Sequence, residues 1–380
     1  MIIIITGGIM KQDYDVVIVG AGASGIGVGS ILKQMGCNTF CILEKGEIGD
    51  SFRKWPKEMR LITPSFPSQG FGQTDLNAVV PKTSPGYNLN QEHLNGEEFA
   101  DYLGLIVKHF ELPVHTNEAV EEVQKQDNGK YAIHTTKREI SSRLVVWATG
   151  EFQFPNLSPF PGANYCIHSS HVEAWDELEG DHHIVIGGYE SGLDAVYHLD
   201  QSGKASDLVA KTSTWRLDSS DPSVDVSPYT FNRIKEVIPK GNISIHENQA
   251  VTSVRKEGGQ YMVETDLGII LTSDNPPILA TGFTGGSQMI SHLFQYGEHG
   301  KPLVNEEDES IISDGLYLCG PELRHDSHVF CFIYKFRQRF PIVAKSIADK
   351  LKLNKDILEM YQKENFYLDD LSSCGERCEC

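Results

Sequence analysis

The sequence has little of what a nucleic-acid-binding or membrane protein needs. Among 380 residues, Lys and Arg number 33 against 52 Asp and Glu, and the net charge at pH 7 is −19. No long block of basic residues offers a surface for a nucleic acid or an anionic membrane. No apolar run reaches the ~18 residues of a membrane-spanning helix. The apolar opening is too short for a signal peptide, and Met10 offers a second possible start. We therefore expect a cytoplasmic protein without membrane insertion.

The eight cysteines do not form a C-x-x-C pair anywhere in the chain. A disulfide framework and a standard zinc motif are therefore not predicted. Cys37 and Cys41 lie around the start of an apolar run, and we expect both to be buried packing residues.

The last three cysteines form a separate cluster at the end of the chain. Cys374, Cys378 and Cys380 are arranged as C-x-x-x-C-x-C in a polar tail, which we expect to be exposed and flexible. Exposed thiols on a flexible segment are candidates for thiol–disulfide exchange or for binding a soft metal. The alternative is a chain end without a role.

The segment "YDVVIVGAGASG", residues 14–25, predicts a strand, a glycine turn and the start of a helix. Gly20, Gly22 and Gly25 have the G-x-G-x-x-G spacing. The first glycine permits the tight turn, the second lets a pyrophosphate approach the backbone, and the third allows the helix to pack on the strand. Together with Ser24, they are predicted to hold phosphates at the helix N-terminus.

A carboxylate, Glu44, ends the next apolar run, about 20 residues after the glycine turn, where this motif has an acidic residue. A carboxylate at that strand end accepts hydrogen bonds from ribose hydroxyls and repels a 2′-phosphate. This first site is therefore predicted to bind FAD or NAD rather than NADP.

A second strand, glycine turn and helix are predicted from "IVIGGYESGLDAVYHL", residues 184–199. Gly187, Gly188, Ser191 and Gly192 are the candidate nucleotide-binding residues, with Tyr189 in place of the middle glycine. A tyrosine side chain can point away while its amide faces a phosphate, although close approach of the backbone is then harder to achieve. The alternative is a turn that serves the fold alone.

The strand that follows this helix ends in "KTSTWR", residues 211–216, without a carboxylate. Lys211, Ser213 and Arg216 are the candidate ligands of a 2′-phosphate. We therefore predict that the second site binds NADPH. A solvated basic strand end is the alternative.

The tripeptide Ala-Thr-Gly ends an apolar run twice, at residues 148–150 and 280–282. Gly150 and Gly282 are predicted to turn the backbone close to a cofactor where the chain crosses between two nucleotide-binding units. One flavin site and one nicotinamide site in the same chain predict hydride transfer from NADPH to FAD.

The predicted fold is α/β, with two Rossmann-like, three-layer dinucleotide-binding domains. The NAD(P)H domain, residues 156–282, is expected as an insertion in the FAD domain, residues 11–155 and 283–365. Residues 366–380 are predicted to form the flexible cysteine-containing tail.

The order of these motifs resembles the two-dinucleotide-binding-domain flavoproteins over nearly the whole chain. That class includes thioredoxin-reductase-like enzymes, CzcO-like flavoproteins and class B flavin monooxygenases. "HLNGEEFADYLGLIVKHFELPV", residues 93–114, resembles the conserved helix of the monooxygenases. "FPGANYCIHSSHV", residues 160–172, is similar to their F-x-G-x-x-x-H signature, with five residues instead of three between Gly162 and His168. The resemblance implies FAD and NADPH as cofactors.

In "DGLYLCGPELRHDSHVFCFIYKFRQRF", residues 314–340, the resemblance places Gly320 beside the flavin. Disulfide reductases have an aspartate after this glycine, and here Pro321 follows it. His325, Asp326 and His328 are expected in a flavin-side loop, with a metal-binding fragment as the alternative.

The same segment carries an apolar series at helical spacing that predicts a core helix ended or kinked at Pro341. Its basic residues are expected on a solvated face, or with one of them near an anionic cofactor or substrate group. The apolar series is Val329, Phe330, Ile333 and Phe336, and the basic residues are Lys335, Arg337 and Arg339.

We expect an FAD-dependent NADPH oxidoreductase, and the resemblance favours a second reaction with O₂, as in a flavin monooxygenase. No single catalytic residue and no metal site is predicted. A thiol–disulfide or metal–thiolate reductase using the tail cysteines is one alternative, and an FAD-holding redox sensor or metal-binding protein is another. The expected partners are a small-molecule substrate and a second copy of the chain in a homodimer, without nucleic acid.

Overall fold

The computed structural model describes residues 12–65, 74–213, 223, 225–297, 300–326 and 328–371. Within these ranges the chain is a mixed α/β protein with two parallel sheets. The β-strands are β1 (Gln12–Val19), β2 (Phe40–Leu43), β3 (Val114–His115), β4 (Val120–Lys125), β5 (Tyr131–Thr135), β6 (Glu139–Trp147), β7 (Ile167–His168), β8 (His182–Ile186), β9 (Ala205–Val209), β10 (Ile243–His246), β11 (Val251–Glu257), β12 (Gln260–Thr265), β13 (Ile270–Ser273), β14 (Ile278–Leu279), β15 (Leu316–Leu318), β16 (Arg324–His325) and β17 (His328–Val329). The α-helices are α1 (Ala23–Gln34), α2 (Asp50–Arg53), α3 (Pro85–Leu89), α4 (Gly96–Phe110), α5 (Glu190–Gln201), α6 (Pro228–Val237), α7 (Ile333–Phe336), α8 (Phe340–Leu351) and α9 (Leu358–Lys363), with short 3₁₀ helices at Ala163–Tyr165, Ser169–His171, Ile238–Lys240, Gly286–Leu293 and Arg337–Arg339.

The first sheet has the strand order β3-β2-β1-β6-β5-β4, and β15 also pairs with β6. Strand β6 is long enough to hold two partners along one edge. Its first residues pair antiparallel with β5, where Ile140 lies opposite Ile133. Its last residues pair in parallel with β15, where Trp147 lies opposite Leu318. The parallel part is therefore β3-β2-β1-β6-β15, and its β-branched central strand β1 is buried from Val16 onward, as parallel strands usually are.

The second sheet has the order β10-β9-β8-β14-β7, and all its strands are parallel. An antiparallel sheet of β11, β12 and β13 lies beside it in the chain. All these strands come between β6 and β15, so the chain leaves the first sheet, builds the second one and then returns. The predicted fold class, with one nucleotide-binding domain inserted in the other, is confirmed, and the boundaries at residues 155 and 282 stay a prediction.

The two chain segments that cross between the sheets are hydrogen-bonded to each other. Asn156 N donates to Gly282 O at 2.9 Å, and Thr284 N donates to Phe154 O at the same distance. The Nε2 atom of His168 lies 3.1 Å from Gly282 O. Burial lowers the pKa of His168, which favours a neutral ring that donates from Nε2 to this carbonyl. The histidine of the monooxygenase-like signature thus holds the crossing together.

Helix α4 confirms the helix expected from the segment 93–114. It begins with a capping box, in which the Asn95 side chain accepts from Glu98 N and the Glu98 carboxylate accepts from Asn95 N. Its buried face carries Phe99, Leu103 and Ile106, which belong to the core of the first domain. None of the helices in the described part of the chain has the length and apolar content that a membrane crossing requires.

The basic residues near the end of the chain correct an expectation, because Arg337 and Arg339 are buried instead of forming a solvated face. Arg339 donates from Nε to Asp308 Oδ2 at 3.0 Å and from Nη2 to Asp308 Oδ1 at 2.9 Å. Arg337 donates from Nη1 to Ala78 O at 2.8 Å. Both guanidinium groups donate to acceptors that are distant in sequence. The spacing of residues within this segment therefore could not show that the two arginines are buried.

Three more expectations for the last part of the chain are corrected. The apolar series does not form one helix, since Val329 lies in β17 and α7 begins at Ile333. Pro341 lies in the first turn of α8, where its missing N–H costs no hydrogen bond. The tail does not begin at residue 366, because Phe366 is fully buried and Leu368 O accepts from Arg339 Nη1 at 2.5 Å.

Replacing Arg339 with methionine should lower the free energy of unfolding by about 3–5 kcal/mol, because the Asp308 carboxylate would stay buried without its cation. Urea unfolding followed by circular dichroism measures this. The control is Arg143→Met, which removes an exposed ion pair to Asp15 with an N–O distance of 3.0 Å and should cost about 1 kcal/mol or less. Equal, small losses in both variants would contradict the structural role of Arg339.

Candidate active site

The first glycine turn joins β1 to α1, and its three glycines meet different surroundings. A β-carbon at Gly20 would lie 2.4 Å from Ala148 O, and one at Gly25 would lie 1.9 Å from Gly20 O. Neither position can accept a side chain. At Gly22, by contrast, no atom lies within 4 Å of the β-carbon position, and its φ of −88° suits any residue. The fold itself therefore does not require glycine there, and the role predicted for Gly22, close approach of a pyrophosphate, stays a prediction.

The space in front of this turn is a cavity of about 360 Å³ that reaches from the start of α1 to the start of α5. Gly22 and Ser24 line it, and no side chain caps the N-terminus of α1. Uncapped N–H groups and the positive end of the helix dipole form a site for phosphate. The donors and the free space therefore fit the pyrophosphate of a dinucleotide. Gly320, with φ of 121°, packs against Ser24, whose Oγ lies 3.0 Å from its β-carbon position.

Glu44 lies at the end of β2 and is almost completely buried. Its Oε2 accepts from Ala21 N at 2.7 Å, and its Oε1 accepts from Gly46 N at 2.9 Å. Burial raises the pKa of Glu44, and the two amide donors act in the opposite direction. Each oxygen keeps acceptor capacity for a ribose hydroxyl. The carboxylate thus supports the glycine turn while lining the cavity in front of it.

A second cavity, of about 260 Å³, lies on the other side of the glycine turn. It shares Gly20 and Glu44 with the first cavity, so the two form the ends of one elongated site. Several of its other walls come from residues that the sequence did not indicate as part of a site. These residues are Lys45, Glu118, Ala119, Val120 and Met289.

The second glycine turn repeats the geometry of the first. A β-carbon at Gly187 would lie 2.2 Å from Ala280 O, and one at Gly192 would lie 1.7 Å from Gly187 O. In each domain, the alanine carbonyl of Ala-Thr-Gly therefore packs against the first glycine of the turn. The repeated tripeptide brings two parallel strand ends together beside a nucleotide-binding turn. Gly150 and Gly282 follow with φ of 66° and 76°.

At the middle-glycine position, the Tyr189 hydroxyl donates to Asp225 O at 2.9 Å. Ser191 lines the main cavity, together with Glu190, which sequence reasoning missed. Glu190 accepts from Thr230 Oγ1 at 2.5 Å and from Ser227 at the start of α6. Burial raises the pKa of Glu190. A carboxylate therefore lies beside the helix start where Gly187, Gly188, Ser191 and Gly192 are predicted to hold phosphates.

Of the three predicted 2′-phosphate ligands, Lys211 and Ser213 lie within the described residues. Lys211 is exposed after β9, and Arg216 lies outside the described residues. Ser213 Oγ donates to Glu247 Oε2 at 2.6 Å. A carboxylate beside this serine opposes a second negative charge, and Glu247 could not be anticipated because it follows β10. The role of these residues in NADPH binding stays a prediction.

The described cysteines are free thiols, and burial raises the pKa of each of them. Cys37 and Cys41 are buried, as expected. Cys331 lines the main cavity, and its Sγ lies 3.0 Å from Ser223 Oγ. The tail residues Cys374, Cys378 and Cys380 lie outside the described part of the chain.

The metal-binding alternative for the loop after Gly320 finds no support. His325 Nε2 lies 2.5 Å from Asp308 Oδ1, so this ring completes the buried cluster around Arg339. Among the described residues, no group of three or more His, Cys, Asp or Glu side chains could hold a metal ion.

The two glycine turns follow parallel strands of two sheets, and the helices after them both begin at one cavity. This arrangement defines a two-domain FAD/NAD(P) oxidoreductase. Residues 17–320 match the family of pyridine nucleotide-disulphide oxidoreductases. The chain belongs to this family.

The proteins that resemble this chain include both a disulfide reductase and a monooxygenase. The chain is 29% identical over 311 residues to the uncharacterized oxidoreductase CzcO-like of Geobacillus kaustophilus (strain HTA426), which covers 80% of this chain and 76% of that protein. The solved bacillithiol disulfide reductase Bdr (YpdA) from Staphylococcus aureus has a TM-score of 0.73 and 22% identity, covering 89% of this chain and 99% of that one. A flavin-containing monooxygenase from Stenotrophomonas maltophilia has a TM-score of 0.66 and 15% identity, covering 90% and 99%. The structural likenesses show the fold.

Membership in the family confirms that the protein is an enzyme, an oxidoreductase with FAD and NADP(H) as its cofactors. It does not test the roles of individual residues, which stay predictions. The homodimer and the cytoplasmic location also stay predictions.

Gly22→Ala and Gly25→Ala separate a glycine needed by the ligand from one needed by the fold. Gly22→Ala should change the free energy of unfolding of the apoprotein by about 0.5 kcal/mol or less, because the added methyl group meets open space. It should weaken FAD binding by about tenfold or more, equivalent to about 1.4 kcal/mol. Gly25→Ala should instead destabilise the apoprotein by about 2 kcal/mol or more.

Urea unfolding of the apoproteins and titration with FAD, followed by flavin fluorescence, give the two readouts. Gly104→Ala is the control, since a β-carbon there also meets no atom within 4 Å but lies in the middle of α4. If Gly22→Ala binds FAD as tightly as the wild type, the pyrophosphate does not contact this turn.

Glu247→Gln should raise the ratio of kcat/KM for NADPH to that for NADH, because it removes a negative charge next to Ser213. Lys211→Ala should lower the same ratio, by about tenfold if the ammonium group contacts a 2′-phosphate. Steady-state kinetics with both nucleotides measure these changes. A wild-type preference for NADH would contradict the predicted 2′-phosphate site.

Proposed function

We propose that this enzyme takes hydride from NADPH onto FAD and passes the electrons to O₂, as a flavin monooxygenase acting on a small molecule. The net reaction inserts one oxygen atom into the substrate and reduces the other to water, with NADPH and a proton consumed. The observation that carries the proposal is the composition of the main cavity, which has aromatic walls and a single described thiol, Cys331.

FAD, when bound, supplies the chemistry of accepting hydride and transferring electrons to O₂. Gly20, Gly22, Ser24 and Glu44 would hold it, with its phosphates at the start of α1. The start of α5, at the opposite end of the cavity, would hold NADPH. The first glycine turn and the start of α5 line the same cavity, which supports transfer between the two cofactors without a protein relay.

The aromatic walls support a reaction protected from water. Rings and apolar side chains from the first domain and from the segment before α8 surround the space between the two turns. An apolar lining of this kind, once cofactors fill the cavity, would keep water away from reactive species. The side chains that form these walls are Phe52, Trp55, Leu61, Ile62, Phe152, Phe332, Ile333 and Phe336.

A thiol relay is less well supported by the described residues. A disulfide reductase needs a thiolate that can attack a substrate disulfide. Burial raises the pKa of Cys331, so the thiol is predominantly protonated at neutral pH. No second described cysteine lines the main cavity.

NADPH oxidation by the purified, FAD-loaded enzyme tests the proposal. In air, we expect O₂ uptake to match NADPH consumption, with hydrogen peroxide formed when substrate is absent. Under nitrogen, we expect turnover to stop and not to resume when glutathione disulfide or bacillithiol disulfide is added. Cys331→Ser should keep the oxygen-dependent rate within about twofold, since a twofold change is only about 0.4 kcal/mol.

A second variant tests whether the tail cysteines relay electrons. In it, serine replaces Cys374, Cys378 and Cys380. Truncation at 366 is unsuitable because Phe366 is part of the core. Anaerobic turnover with a disulfide that is lost in either serine variant would overturn the monooxygenase proposal in favour of a thiol–disulfide reductase.

A further inference from the structure

Glu151 differs from the other acidic residues of the main cavity. The carboxylates of Glu44, Asp50, Glu190 and Asp194 each have a hydrogen bond or ion pair with the protein. The Asp194 carboxylate, for example, lies 2.9 Å from an Arg233 nitrogen. Among the described residues, none forms a hydrogen bond or an ion pair with the Glu151 carboxylate. Glu151 is therefore the carboxylate of this cavity that has no partner among the described residues.

The position of Glu151 is fixed by the first sheet. It follows Gly150 in the loop after β6, and Pro321 follows Gly320 in the loop after β15. Since Trp147 lies opposite Leu318 in these parallel neighbours, the two loops leave adjacent strand ends and both line the cavity. Ligands of doubly wound sheets bind outside the carboxyl ends of the strands. Glu151 thus lies where the reacting groups are expected to meet.

The surroundings of Glu151 leave its negative charge uncompensated. Its pKa is raised, mainly by burial and to a smaller extent by Glu322, while Lys301 and Arg324 oppose the rise. Neither cation is within 4 Å of the carboxylate. Arg324 Nη1 instead donates to Pro321 O and Leu323 O, both at 2.6 Å. Glu151 is half-buried, and removing an unpaired carboxylate from water is costly, so a cationic ligand would offset part of that cost.

The walls next to Glu151 also suit a cation with an apolar body. Phe152 follows it in the chain, and the Phe152 ring lies 6.4 Å from the Trp55 ring. Phe332 and Cys331 also line the cavity. Aromatic faces attract ammonium groups and pack on apolar groups. The net charge of −19 further favours the approach of a cation.

We propose that Glu151 binds the ammonium group of the substrate, so that the substrate class of this enzyme is an amine with an apolar or aromatic body. This inference rests on the proposed function in one respect, namely that the substrate occupies the same cavity as the flavin. It assigns to Glu151 the selection of the substrate rather than the transfer of hydride.

Anaerobic binding of benzylamine and of its neutral analogue, benzyl alcohol, to the FAD-loaded enzyme tests the inference. The readout is the change in flavin absorbance, which requires no turnover. We expect the wild type to bind benzylamine about tenfold or more tightly than benzyl alcohol at pH 7.5. Glu151→Gln should abolish this difference by weakening benzylamine binding alone, and the surface control Glu121→Gln should retain it.

An unchanged ratio of the two affinities in Glu151→Gln would overturn the inference, as would a wild type that does not prefer the amine. A loss of FAD affinity by tenfold or more in Glu151→Gln, measured by fluorescence titration, would assign the carboxylate to the cofactor and would overturn it too. Because binding is measured without oxygen, these results are independent of the oxygen-uptake test. Oxygen-dependent NADPH oxidation without amine selectivity would leave the proposed function standing and this inference wrong.

Discussion

The architecture depends on one backbone contact that occurs twice. In each domain, the carbonyl oxygen of the alanine in Ala-Thr-Gly lies against the first glycine of the nucleotide-binding turn, with no room for a β-carbon between them. This contact brings the ends of two parallel strands together and directs the following helix N-terminus toward the same edge of the sheet. The elongated site in the first domain and the start of α5 in the second both follow from it.

Local sequence was sufficient for the parts of the fold that depend on local sterics. The glycine turns and the acidic strand end at Glu44 were predictable, because each is set by residues within one turn or one strand end. The order of these motifs along the chain also predicted that one domain is inserted in the other. Family membership and the sheet topology agree with that prediction.

Local sequence was not sufficient where a polar group has a distant partner. The buried state of Arg339 depends on Asp308, which is 31 positions away, and the state of Ser213 depends on Glu247. Helical spacing describes which residues share a face, but it does not say whether that face meets water or a buried carboxylate. The walls of the second cavity at Glu118, Ala119 and Val120 were missed because they lie at the start of β4, far along the chain from the glycine turn.

Monooxygenases and disulfide reductases share this fold. They differ in the acceptor that takes electrons from the reduced flavin, which is O₂ in the first and a disulfide in the second. The most direct measurement is a single-turnover stopped-flow experiment, in which the enzyme is reduced anaerobically with one equivalent of NADPH and then mixed with O₂ or with a disulfide. For a monooxygenase, we predict that the flavin absorbance lost on reduction returns rapidly with O₂ and does not return with the disulfide. Rapid recovery with the disulfide, and slow recovery with O₂, would contradict it.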